Sequence, residues 1–200
     1  MKPEKGDIYN MTKKRVITFN SPVVLWFVII SFGAMVSNYL TGGVSNRLLF
    51  MTYHSPLTSP MTYVRFFTHV LGHSGWSHYI GNTMYLLLLG PMLEEKYGSR
   101  AIIEVILLTG LVTGLINWVF FPNVALCGAS GVVFAFIMMM SFTSFREGEI
   151  PLTVILVAIL YIGQQVYDGL FVQDNISNMG HIIGGIVGAA AGYTLNKNRK

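Results

Sequence analysis

Charge and cysteine are what this sequence has least of. Only 11% of its 200 residues are Asp, Glu, Lys or Arg, against about 25% in an average soluble chain, which excludes an ordinary water-soluble domain. The single cysteine, Cys127, excludes an internal disulfide and fits no metal-ligand spacing. The net charge of +4 comes without any basic stripe interleaved with aromatics, so no nucleic-acid partner is expected. His69 and His73 stand four apart, yet no carboxylate or cysteine accompanies them as in H-E-x-x-H. They read as structural donors, and neither a metal nor a cofactor is expected. His54 carries no signal. Met1 to Asn20 is polar, and no small-residue cleavage site follows the long apolar segment after it, so this end reads as a tail and not a signal peptide.

What is present is hydrophobic residue, 52% of the chain, gathered into six segments. They run over 22–40, 76–93, 101–121, 128–142, 151–167 and 176–195, each a candidate bilayer-crossing helix. The expected class is an all-α polytopic membrane protein. The fourth segment is short for a span and is expected to be shielded by its neighbours. Thr41 to Gly75 is too long for a turn and, with Leu48, Leu49, Phe50, Met51, Phe66, Phe67 and Val70, too apolar for a solvent loop. It reads as a first external loop partly sunk into one leaflet. Every lysine and arginine except Arg47 and Arg65 falls on one side of this topology, so both termini are expected to be cytoplasmic. With no transit peptide, the host is read as a bacterial inner membrane. The domain scheme is a tail over 1–20, a six-helix domain over 21–196 and a basic tail over 197–200.

This topology brings the second, fourth and sixth helices in from the outer side. His78 and Asn82, Ser130, and His181 then lie near their starts, within roughly the outer third of the bilayer at about 1.5 Å of rise per residue. Helices one, three and five offer only amides there: Asn38, Asn117, Gln164 and Gln165. Polar groups at membrane depth are costly and mark function. Serine needs a neighbouring base to become a nucleophile; His181 is the better candidate and His78 the other. Asp168, Asp174 and Glu104 have no obvious route to His181, so a Ser–His dyad is expected. The Ser130 N–H at a helix start, with His78 and Asn82 on one helix face, could donate to an oxyanion. Gly128 and Gly131 flank the serine, and Gly180, Gly184 and Gly188 allow close helix approach.

The chain resembles the rhomboid intramembrane serine proteases over nearly all of 22–195. The nucleophile motif reads Gly128-Ala129-Ser130-Gly131, and the sixth-helix pattern His181-x-x-Gly184-x-x-x-Gly188. The second helix carries His78-x-x-x-Asn82, which the family uses around the oxyanion. Gly90-x-x-x-Glu94-x-x-x-Gly98 resembles its structural motif, and Arg65-Phe66-Phe67-Thr68-His69 with His73 its first external loop. Two positions depart from the pattern: Val64 stands where tryptophan is common, and Phe134 where a tyrosine often stacks on the catalytic histidine. The resemblance implies a six-helix rhomboid-like bundle. It further implies peptide-bond hydrolysis in or near the transmembrane segments of membrane-protein substrates, which enter from the lipid bilayer beside helix five. The oligomeric state is not implied. Two rival readings are a catalytically silent rhomboid-like protein that binds transmembrane helices, and a small transporter using His78, Asn82 and His181. Retention of both Ser130 and His181 weighs against the first. The second lacks ionisable residues in the cytoplasmic halves and any repeat between halves.

Overall fold

A computed structural model describes residues 18–143, 152–171 and 178–197. Most of the basic residues behind the orientation argument (Lys2, Lys5, Lys13, Lys14, Arg15, Arg146, Arg199 and Lys200) lie outside the described residues. So do Asp174 and the side chains of Gln164, Gln165 and Asp168.

Six helices occupy the six apolar segments: α1 (Pro22–Leu40), α3 (Trp76–Tyr97), α4 (Ser99–Phe120), α5 (Ser130–Ser141), α6 (Leu152–Phe171) and α7 (Asn178–Lys197). The segment between α1 and α3 contains α2 (Pro60–Thr68), preceded by a π-helical turn at Asn46–Phe50 and followed by a 3-10 turn at His69–Leu71. Among the described residues the only β pairing is an isolated bridge between Thr52 and Leu126. By length and apolarity, α1 and α4 qualify as membrane crossings, and α5 is a shorter apolar helix.

The short helix is the centre of the bundle. α5 packs most closely on α7 and also touches α3, α4 and α6. Its Val132, Ala135, Phe136 and Met139 are fully buried, within a core that includes Leu86 and Leu93 of α3 and Ile102 and Val105 of α4. Glycine makes the α5–α7 approach possible. A Cβ on Gly184 would stand 2.1 Å from the Gly131 carbonyl oxygen, and one on Gly188 would stand 2.1 Å from that of Ala135. Backbones this near exclude any side chain between them.

Glu94 ties α1 to this core. Its carboxylate accepts from the Ser21 hydroxyl at 2.5 Å, the Val23 and Val24 N–H groups at 3.1 and 3.2 Å, and the Ser99 hydroxyl at 2.7 Å. Free N–H groups and the positive end of the helix dipole stabilise an acceptor there. The motif 90–98 therefore does more than end α3: its acid caps α1. Gly98, at φ +86°, stops α3 after Tyr97, a turn beyond the expected end.

Candidate active site

The loop before α5 is held from three sides. Thr52 and Leu126 exchange backbone hydrogen bonds of 2.9 and 2.8 Å, and the Gly128 N–H donates to the His69 carbonyl at 3.0 Å. From α4, the Asn117 amide donates to the Val124 carbonyl at 3.0 Å. Gly128 then turns with φ +133°, a conformation that disfavours any residue with a Cβ. The turn makes Ser130 the first residue of α5, not one already inside it as the apolar run suggests. Its N–H therefore belongs to the set that has no acceptor within the helix.

Ser130 and His181 line one small cavity together with Gly128, Gly131, Gly180, His69 and Thr113. Its volume is about 10 Å³, on the order of one water-sized probe. The Phe134 ring, one turn along α5, lies 4.6 Å from the His181 ring, centroid to centroid, at a tilt of 41°. No carboxylate is among the described residues lining the cavity. Glu104 pairs with Arg100 at 2.8 Å, at the start of α4.

His78 sits against the serine loop from α3: a Cβ on Gly128 would stand 2.6 Å from its Cε1 atom. The Ser74 hydroxyl lies 3.1 Å from His78 Nδ1, and the His73 ring meets the His78 ring edge-on at 5.1 Å. Asn82, a turn further along, is buried, and its Nδ2 has no hydrogen-bond partner among the described residues. It is a donor held away from water.

The cavity is also lined by two polar residues that the sequence did not assign to it. His69 is structural, as expected, with Nε2 donating to the Gly110 carbonyl at 3.0 Å. It also reaches the cavity, and burial pushes its pKa below the ordinary range, so it is neutral. Thr113 lines the cavity while donating to the Thr109 carbonyl at 2.6 Å. His73 is pushed down as well, by burial and then by the neighbouring His78. Asn38 and Asn117 spend their amides on the carbonyls of His73 and Val124. Cys127 adjoins the site, yet burial pushes its thiol up to about 11, which leaves little nucleophilic thiolate at neutral pH.

Comparison with known proteins bears on the family of the chain. The model of the rhomboid domain matches residues 60–198. Rhomboid-related protein 2 of Mus musculus is 34% identical over 162 residues, covering 70% of this chain and 53% of its own. Rhomboid protease GluP of Bacillus subtilis is 28% identical over 169 residues, covering 79% of this chain and 32% of its own. Rhomboid protease GlpG of Salmonella paratyphi A is 28% identical over 145 residues, covering 68% and 50%. The chain thus spans between about a third and about half the length of these relatives. With the family model matched from α2 to the end of α7, this is a membrane protein and belongs to the rhomboid family.

Proposed function

We propose that the protein is an intramembrane serine endopeptidase that cuts membrane proteins in or near their transmembrane segments, using a dyad of Ser130 and His181. The observation carrying this reading is the shared cavity: a serine at a helix start and a histidine on the adjoining helix both line it. His181 takes the proton of Ser130 as the hydroxyl attacks the scissile carbonyl, and returns it to the leaving amine. The Ser130 N–H, His78 and Asn82 supply donors for the tetrahedral oxyanion. The unpartnered Nδ2 of Asn82 supports that role. Water then releases the acyl group, with His181 again the base. Phe134 and the glycine contacts replace a carboxylate in holding the imidazole.

In this reading α1, α3, α4, α5, α6 and α7 form the six spans of a bacterial inner-membrane protein with both termini in the cytoplasm. The bundle over 21–196 is the catalytic domain, flanked by short cytoplasmic tails. Substrate helices unwind locally and reach the dyad laterally, beside α6.

The test is reconstitution with a model transmembrane substrate. The parent chain cleaves it, while Ser130→Ala and His181→Ala do not. A fluorophosphonate probe labels Ser130 only when His181 is present. Cleavage undiminished in both variants removes the dyad.

A further inference from the structure

The two helices that qualify as membrane crossings, α1 and α4, leave a groove of about 330 Å³ between their first turns. Val23, Trp26 and Ile30 of α1 wall it on one side, Ile103 and Leu107 of α4 on the other, with Phe27 beneath. Its surface is almost wholly apolar. Trp26 and Ile30 are 56% and 51% exposed, Ile103 and Leu107 44% and 48%, so the groove opens outward, where a membrane protein meets hydrocarbon.

A cationic group stands just beyond its α4 wall. Arg100, one turn before Ile103, has a side chain 94% exposed, and its ion pair is with Glu104, itself 61% exposed. Such an exposed pair is weak, so the guanidinium can exchange it for a phosphate, which it grips with two parallel hydrogen bonds. The unpaired N–H groups at the start of the 22-residue α4 favour an anion at the same level. In the sequence, Lys13, Lys14 and Arg15 come shortly before Pro22. Basic residues clustered next to a membrane helix attract anionic lipid. Charge just beyond the groove and hydrocarbon walls one turn deeper match the two halves of a phospholipid.

We propose that this groove binds an anionic diacyl phospholipid, with one acyl chain between α1 and α4 and the phosphate at Arg100. Half of the site comes from α1, which lies before residue 60, where the rhomboid-domain match begins.

Trp26 provides the measurement. The full chain is reconstituted in phosphatidylcholine vesicles holding a small share of phosphatidylglycerol brominated on its acyl chains. The reverse mixture holds the same share of brominated phosphatidylcholine in phosphatidylglycerol. The anionic label quenches tryptophan fluorescence several-fold more than the zwitterionic one. Trp26→Phe abolishes that excess and leaves the signal of Trp76 and Trp118. Arg100→Gln and Ile103→Phe, both at exposed positions, bring the ratio towards one while helicity stays unchanged. Equal quenching by the two labels in the parent chain overturns the proposal, as does an excess that survives Arg100→Gln and Ile103→Phe. Ser130→Ala retains the full excess, so this result and the proteolytic reading stand or fall separately.

Discussion

The Phe134 and His181 rings pack at 4.6 Å between centroids and cross at 41°, so the residue one turn after the candidate nucleophile lies against the ring of the candidate base. Aromatic contacts of this kind contribute about 0.5–1.5 kcal/mol beyond burial. If that energy orients the imidazole, Phe134→Leu lowers kcat by roughly two- to tenfold with little change in KM. Phe134→Tyr retains the parent rate. Steady-state cleavage of a transmembrane substrate decides it: an unchanged kcat in Phe134→Leu removes Phe134 from the positioning of His181.

Gly128 combines a φ of +133° with a ring against its backbone. Alanine there is strained and also pushes His78 away from the serine loop. Gly128→Ala therefore loses cleavage by at least about a hundredfold, the scale for losing one oxyanion donor, while the bundle still folds. A variant with parent activity shows that the loop tolerates the side chain and that His78 does not need this seat.

The α5–α7 seam is a stability test. A methyl group on Gly184 or Gly188 would meet a carbonyl oxygen at 2.1 Å, and the helices must separate to admit it. Overpacking of this kind costs typically about 1–3 kcal/mol, and a wider seam also parts Ser130 from His181. Thermal unfolding in detergent shows a lower midpoint for Gly184→Ala and Gly188→Ala, with activity falling further than the lost stability explains. Gly163→Ala, at a position open on all sides, is the matched control and leaves both unchanged.

Much of this architecture is legible in the sequence because long helices with apolar faces declare themselves by uninterrupted apolar length. Each of the six segments holds a helix among its described residues, and the first is bounded as expected at Pro22 and Leu40. The start of α5 is misjudged by two residues, since an apolar run does not reveal the turn that Gly128 makes at positive φ. Contacts distant in sequence are hidden for a different reason. That His69 reaches Gly110, Gly128 and the cavity depends on α2 lying close to α4. Gly114 permits this approach, as its Cβ would fall 2.9 Å from the Phe66 carbonyl oxygen. Nothing local to His69 encodes that neighbour. Likewise, Glu94 is recognisable as part of a motif, but its partner α1 is not.

Glu94 gathers four donors on one buried carboxylate. Glu94→Gln keeps the shape but replaces one acceptor oxygen with a donor facing other donors. An unsatisfied buried group costs about 1–3 kcal/mol, so the variant unfolds at a lower temperature, and α1 loosens first. Hydrogen exchange over 22–28 reads this directly: faster exchange confined to the first turns of α1 is expected. Protection equal to the parent shows that the cap does not hold the helix.

The segment between α1 and α3 makes stability depend on pH. Burial holds His69 and His73 below the ordinary histidine range, so both stay neutral in the folded chain at pH values where exposed histidines take up protons. Above about 6.5, the ordinary histidine value, folded and unfolded chains carry the same charge on these groups, and pH has no effect through them. Below it the unfolded chain binds protons that the folded chain refuses, and stability falls with pH by linkage. The unfolding midpoint therefore drops between pH 7 and pH 5. His69→Gln is less stable than the parent at pH 7, because the Gly110 and cavity contacts are remade imperfectly, but its midpoint changes less with pH. A parent midpoint that holds constant from pH 7 to pH 5 contradicts the buried neutral histidines on which this segment is built.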